Sequence, residues 1–397
     1  MKRLLCYGIL AVLLVCIVLF AKGIVTLPVR EQSKNSIPQE NEGESASDSS
    51  LSDGTDISQA GSSSSSAVTQ TQDFPYTYAE VINDANTINA VVDVPDEVRE
   101  NGYYEATATV LTFEDKADDI LTYFEGYHPY LHATNDEAIS YWGDDDFILN
   151  FDPEYTDLTI VTGTYWNAVR YAYDFNVGTE EYNRDHYPEE TAFDDFSLED
   201  CDESIQSLFD LIGFQGELYI RHWTLDYETM EEEAVELFMD GTDRKPEYDW
   251  SEEDDCYWCE IWQTCNGVRI INTRGLKGAG DVLEHGTHTA VTGKSGVFSM
   301  DTTLLYDISY SEEKMELIDF EEIVEVYRQS SAEAAEASPI EITDIALLVL
   351  PVSVRGEGYS LVPVWIFYGQ RSIELEGSSL LDIYAVYINA TTGEVIG

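Results

Sequence analysis

Positive charge is what this 397-residue chain has least of: 20 Lys and Arg stand against 77 Asp and Glu, a formal net charge of -57. A surface this negative repels phosphate backbones and anionic lipid headgroups, which excludes nucleic acid as a partner class. Long apolar runs are equally scarce. One exists, from Leu4 to Ala21, and it sits between Met1-Lys2-Arg3 and Lys22. Large apolar side chains are almost missing from residues 31–72, where Ser, Asp, Glu, Gln and Gly dominate and Ser62 to Ser66 is a serine run. Such a stretch buries too little surface to offset chain entropy, so it reads as a disordered tether. Cysteine is sparse, with six in all.

Several catalytic patterns are also incomplete. Glu284-His285-Gly286-Thr287-His288-Thr289-Ala290 has the look of the block that carries the general base in subtilisin-like proteases. That chemistry needs an Asp and a Ser in a helical Gly-Thr-Ser-Met-Ala setting. The chain instead offers Gly-Val-Phe-Ser-Met at 296–300, in a strand pattern, so the block is read as a polar strand entry. The acidic clusters Asp144-Asp145-Asp146, Asp194-Asp195 and Glu252-Glu253-Asp254-Asp255 lack the spacing, central Gly and final Glu of a calcium loop. Paired carboxylates near Trp142 and Trp250 would suit a glycosidase. With so many acids, adjacency by chance is expected, and a solvated face is the reading adopted. No catalytic, cofactor-binding or metal residue is therefore assigned, and the chain is expected not to be an enzyme.

What is present is an address and a folded region. The eighteen residues from Leu4 to Ala21 would span about 27 Å as a helix, close to the hydrocarbon thickness of a bilayer. Basic residues before it favour an N-terminus held inside and a chain exported beyond it. A cleaved signal peptide and a lipoprotein signal at Cys16 are the rivals; the residue before Cys16 is Val15, where a small side chain is normally needed. The expected location is the cell membrane, single-pass, with the folded part outside the cytoplasm. In that setting Cys201, Cys256, Cys259 and Cys265 are candidate disulfide cysteines, with three pairings open. Unpaired buried thiols, a zinc site drawing on Cys201 or His222, and a redox Cys256-x-x-Cys259 are the alternatives.

With 44% hydrophobic residues and 26 Tyr, the remainder can build a substantial core. Residues 103–111 alternate as a strand, and 115–124 place Ile120, Leu121 and Phe124 on one helical face. Residues 158–174 read as one or two strands. Ser197 with Glu199 and Asp200 opens a helix in which Ile205, Leu208, Phe209 and Ile212 recur, and Gly213 stops it. Strands are expected at 217–227, 256–264 and 268–272, then a hairpin of 287–292 and 297–308 turning at Gly293 to Gly296. Residues 320–327 form a short amphipathic helix, Pro339 ends the Ala-rich sequence after it, and strands follow at 340–350, 361–368, 383–389 and 394–396.

The order helix-then-strands occurs twice. The expectation is an α+β protein of two related lobes, each a helix followed by an antiparallel sheet, after an N-terminal α+β section and a single transmembrane helix. The segments are 1–22 as anchor or signal, 23–73 as tether, 74–195 as the N-terminal section, and 196–318 and 319–397 as first and second lobes.

The last strands carry a resemblance. Leu361-Val362-Pro363-Val364-Trp365-Ile366-Phe367, followed by Tyr387-Ile388-Asn389-Ala390-Thr391-Thr392-Gly393-Glu394-Val395-Ile396, resembles the end of PepSY-like and YycI-like extracytoplasmic domains of Gram-positive bacteria. Residues 342–348 fit the preceding strand, and 262–270 are a weaker echo with Arg269 where a Pro is usual. The motif residues Pro363, Trp365, Asn389, Ala390 and Gly393 describe hairpin geometry rather than a catalytic site. Asn389-Ala390-Thr391, formally a glycosylation sequon, is accordingly read as turn chemistry. The resemblance implies a single-pass protein that faces outward and acts by protein–protein contact, with regulation of a sensor kinase or envelope protease as its expected form. No cofactor is implied. The alternative is an exported protein that binds a peptide, a cation or a cell-wall fragment.

Overall fold

The computed structural model describes residues 74–112, 116–134, 139–152, 157–172, 185–234, 236–237, 243–271, 288–354, 358–375 and 378–396. They fall within one compact unit, Val68–Gly397. The expected anchor and tether, with Cys6 and Cys16, lie outside the described residues, as does the stretch from Glu284 to Thr287. Among the described residues, no helix is long and apolar enough to cross a membrane.

The fold is α+β, with most of the structure in two sheets. In chain order, β1 (Thr77–Asn83), β2 (Asn86–Asp93), helix α1 (Asp96–Asn101) and β3 (Tyr103–Val110) come first. Helix α2 (Ala117–Tyr123) leads into β4 (Tyr130–Thr134), β5 (Ile139–Trp142), β6 (Ile148–Asp152) and β7 (Asp157–Val161). Helix α3 (Leu198–Leu211), β8 (Leu218–Leu225) and helix α4 (Tyr227–Glu233) precede the minor pair β9 (Glu236–Leu237) and β10 (Asp243–Arg244). Then come β11 (Cys256–Cys265), β12 (Val268–Arg269), β13 (His288–Gly293), β14 (Gly296–Thr302) and β15 (Tyr306–Met315). Helices α5 (Phe320–Ser330) and α6 (Ala332–Ala337) lead to β16 (Ile340–Val354), β17 (Gly358–Leu375), β18 (Ser378–Asn389) and β19 (Val395–Ile396).

One sheet runs β1-β2-β16-β17-β18-β19, with β3 and β15 joined to it through β17. The other runs β12-β11-β13-β14-β7-β6-β5-β4, with β8 on the free side of β11. The strands of the expected section 74–195 make no layer of their own. β1 to β3 enter the first sheet and β4 to β7 the second. Nearly all neighbours are antiparallel; β2 and β16 form a parallel pair.

Two of the sequence expectations need correction. Residues 158–174 are not strand throughout. β7 ends at Val161, and a π-helical turn, Tyr165–Val169, follows directly. Buried Ala168, Val169 and Ala172 recur at helical rather than alternating spacing, with Val169 and Ala172 in the cluster of Trp258 and Phe298. The expected strand 297–308 breaks at 303–305, where Leu304 has φ 46°, so that β14 stays in the second sheet and β15 enters the first. Elsewhere the local signals match the structure. Ser197 caps α3 in a reciprocal capping box with Asp200, and Gly213 follows its end at φ 86°. β13 and β14 pair from Gly293 opposite Gly296, the expected two-residue turn.

Each sheet covers a helix. The amphipathic α5 lays Phe320, Ile323, Val324 and Tyr327 on the inner face of β16 and β17, against Ile342, Ile345, Leu347, Trp365 and Phe367. The alternate residues of these strands, Ala346, Leu348, Val364 and Ile366, pack on the opposite face. Burial on both sides is why residues 340–350 read as a nearly continuous apolar run. Helix α3 lays Cys201, Ile205, Leu208 and Phe209 on Tyr257, Cys259, Ile261 and Met300 of the second sheet.

Candidate functional site

Beneath α3, side chains that bear chemistry converge. β8 and β11 are antiparallel with His222 directly opposite Cys259, and both face the helix. Cys201, in the first turns of α3, descends onto them. The Cys201 and Cys259 sulfurs are 3.5 Å apart. One ligand atom from each of Cys201, His222 and Cys259 lies within 4.8 Å of the other two, and all three residues are buried. Two carboxylates complete the cluster. Asp202, next on the helix, places Oδ1 2.9 Å from His222 Nε2. Glu190 stands on the other side of the ring, with Oε2 3.2 Å from Nδ1 and Oε1 accepting the His222 backbone N–H at 2.9 Å. The imidazole is buried while both carboxylates are about half exposed. The cluster is therefore a buried thiol–imidazole group flanked by two half-exposed carboxylates, one at each ring nitrogen.

The electrostatics follow from that arrangement. Burial works to lower the His222 pKa, but the hydrogen bond to Asp202 and the Cys201 thiol beside it win and raise it to about 10. The contact from Cys259 pulls the Cys201 thiol down, and His222 adds to the effect. Cys259, fully enclosed, is pushed well above the ordinary thiol range by burial.

Cys201, Cys256, Cys259 and Cys265 are not one set. All are free thiols in the structure. Cys201 and Cys259 meet. Cys256 points to the opposite face of β11, among Trp223, Trp258 and Val291. Residues three apart on a strand face opposite ways and lie about 10 Å apart, so Cys256-x-x-Cys259 is neither a redox pair nor a disulfide. Cys265 lies in the other core, its sulfur 3.6 Å from the Tyr103 hydroxyl. Glu190 and Asp202 are absent from the sequence-derived candidates. Asp202 could be inferred only from its adjacency to Cys201, and Glu190 carries no sequence signal.

The remaining candidates take structural roles. Asp144 pairs with His128 at 2.9 Å in an exposed turn where Asp145 and Asp146 have positive φ. Asp195 pairs with Lys294 at 2.9 Å. Asp254 accepts from Ser251 N–H at 2.8 Å and from the Tyr248 hydroxyl at 2.7 Å, while Asp255 accepts the Tyr227 N–H at 2.9 Å. Trp142 stacks on His132 at 3.6 Å, and Trp250 meets Tyr248 edge-on. In the last hairpin Asn389 Oδ1 accepts the N–H groups of Thr391 and Thr392, each at 2.9 Å, and Gly393 takes φ 71°. The Ala390 N–H donates to the Pro363 carbonyl at 2.9 Å. Asn389 and Gly393 thus shape this turn.

His288 is a core residue. It opens β13, its Nδ1 accepts the Thr303 N–H at 3.2 Å, and its ring packs edge-on to Phe209 at 6.0 Å. Burial alone lowers its pKa from 6.5 to about 3. A depressed folded pKa contributes stability that is complete above pH 6.5 and is lost as pH falls towards 3, because the unfolded chain takes the proton first. From pH 7 to pH 5 this one residue costs about 2 kcal/mol. Urea unfolding of the full chain at the two pH values, compared with His288→Gln, should show the pH-dependent loss reduced by about that amount in the variant. Equal losses would remove the assignment.

The edge of the second sheet is the other notable surface. All five residues of β4 are exposed, and among the described residues β4 pairs with β5 alone. Tyr130 and Leu131 are 57% and 55% exposed, and Trp142 on β5 is 40% exposed. The strand Tyr130-Leu131-His132-Ala133-Thr134 carries no Lys, Asp or Glu, the usual guards of an open edge.

No protein-family model matches the chain, and no curated protein matches it. The fold itself has a solved counterpart. A crystal structure of an uncharacterized protein from Eubacterium rectale superposes with a TM-score of 0.58 at 15% identity, covering 81% of this chain and 94% of that one. At that identity the similarity is one of fold.

Proposed function

We propose that the chain is a membrane-anchored extracytoplasmic protein that works by protein–protein contact, held at the membrane through Leu4 to Ala21 and regulating a sensor kinase or an envelope protease. In this reading residues 196–318 (α3 to β15) and 319–397 (α5 to β19), each a helix followed by strands, are two related PepSY/YycI-like lobes. The observation that carries the proposal is the exposed β4 edge, which lacks charged guards although its register shifts at His132. Open backbone groups flanked by exposed Tyr130, Leu131 and Trp142 suit an extended segment of a partner, added as a further strand. The charge of -57 specifies that segment as basic.

Site-specific photocrosslinking from positions 130 and 131 in intact cells tests this, with position 395 on β19 as control. The expected result is a discrete adduct with one membrane or envelope protein from the β4 positions alone, weakened at least tenfold by Leu131→Glu. Adducts equal at all three positions, or a chain that co-purifies reproducibly with a small ligand and no protein, would overturn it in favour of the ligand-binding alternative.

A further inference from the structure

We propose that Cys201, Cys259 and His222, with Asp202 swung in as the fourth ligand, form a closed, tetrahedral site for a borderline-soft divalent ion of the zinc type. This site is independent of the contact function and lies in the core of the second sheet.

The donor set argues for it first. Two thiols and an imidazole with one adjacent carboxylate are the ligand types that select zinc over the hard, all-oxygen ions. Geometry argues second. Two sulfurs bound at 2.3 Å to one tetrahedral ion stand about 3.8 Å apart, and the Cys201 and Cys259 sulfurs are already 3.5 Å apart. An imidazole nitrogen and a carboxylate oxygen on the same ion would stand about 3.3 Å apart, and His222 Nε2 and Asp202 Oδ1 are at 2.9 Å. Cys201, His222 and Cys259 are already grouped within 4.8 Å, whereas Asp202, which holds Nε2 itself, must swing off the ring nitrogen towards the sulfurs to let the ion in and become its fourth ligand.

The surroundings argue third. A metal-bound histidine nearly always gives its other nitrogen to a carboxylate, which sets its tautomer and ring plane. Glu190 occupies that position at Nδ1 and is anchored in turn by the His222 backbone N–H. Nothing about core packing requires a second carboxylate there. The half-exposed Asp202 and Glu190 give the ion an entry path, while all three remaining ligands are buried. Four protein ligands leave no open position, so the role is structural: the ion fastens α3 to β8 and β11. A Cys201–Cys259 disulfide is the competing use of the two sulfurs, but it leaves His222 and its two carboxylates unexplained.

The test uses the full chain in detergent, with thiols kept reduced and cobalt(II) alone as probe. We expect one cobalt per chain, a thiolate-to-cobalt charge-transfer band with the intense visible bands of tetrahedral cobalt, and displacement by zinc. Cys201→Ser and Cys259→Ser should abolish the band. His222→Asn and Asp202→Asn should weaken binding at least tenfold, while Glu190→Gln should keep the spectrum and lose about 10–100-fold in affinity. Cys256→Ser and Cys265→Ser should change nothing. Because the wild-type spectrum is decisive by itself, a variant that fails to fold does not protect the proposal. A reduced chain that gives no charge-transfer band would overturn it. So would a band that survives Cys201→Ser in a folded chain, or a native Cys201–Cys259 disulfide whose reduction yields no cobalt binding.

Discussion

Trp365→Ala should lower the unfolding free energy of the chain by about 4 kcal/mol, near the top of the range for emptying a single core position. Trp365 lies midway along β17, opposite Leu347 on β16 and Ile388 on β18, so its side chain stands over the middle of three paired strands. It is fully buried. Phe74 and Phe320 pack against it with ring centroids at 5.5 and 5.4 Å. Truncation loses the transfer free energy of the indole and leaves a void between a helix, a sheet and Phe74, none of which can collapse freely. Trp365→Phe separates volume from polarity. The indole N–H has no hydrogen-bond partner among the described residues, so phenylalanine removes a buried, unpaired donor along with part of the ring. Its cost should be about 1–2 kcal/mol, under half that of alanine. Urea unfolding followed by far-ultraviolet circular dichroism measures both. A Trp365→Ala loss below about 1.5 kcal/mol would mean that this layer is not the core of the first sheet.

Trp365 also marks how far local sequence signals reach. Strands 103–111 and 340–350 are legible because alternation or a nearly continuous apolar run reports burial directly, and 256–264 because its aromatic density does. Helix α3 is legible because cap, apolar spacing and terminal glycine agree. What is hidden needs tertiary knowledge. Residues 165–172 are as rich in Tyr, Trp and Val as any strand, and only the face presented to Trp258 decides that they coil. Nothing in residues 303–305 announces that the chain leaves one sheet for the other. The candidate metal ligands are visible as residue types, yet Cys259 and His222 become neighbours only through the β8–β11 register, and register is not a local property. The C-terminal motif behaves differently. Asn389 and Gly393 bond to each other within the single tight turn after β18, so that part of the pattern can be read in one dimension.

Asn86→Ala should cost about 3 kcal/mol for the loss of one small polar side chain. Asn86 opens β2 and is fully buried beside α5. Its Oδ1 accepts from the Tyr327 hydroxyl at 3.0 Å, and its Nδ2 donates to the Ser331 hydroxyl at 2.8 Å. Tyr327 cannot turn elsewhere, because its ring is stacked on Phe367 at 4.4 Å with the planes 6° apart. Alanine therefore removes the amide that both hydroxyls bond to and leaves them buried with only each other, at about 1–3 kcal/mol, instead of releasing them to water. Tyr327 and Ser331 lie 241 and 245 positions from Asn86 in the chain, so the effect belongs to the closure of β1 and β2 onto the C-terminal half. Tyr327→Phe alone should cost less, since it leaves only the amide oxygen unpaired. In the double variant the losses, read by the same urea unfolding, should fall short of their sum by about 1–2 kcal/mol, the mark of two groups that serve each other. Strict additivity would instead make Asn86 a space-filler, and the docking of the first hairpin would then rest on apolar contact alone.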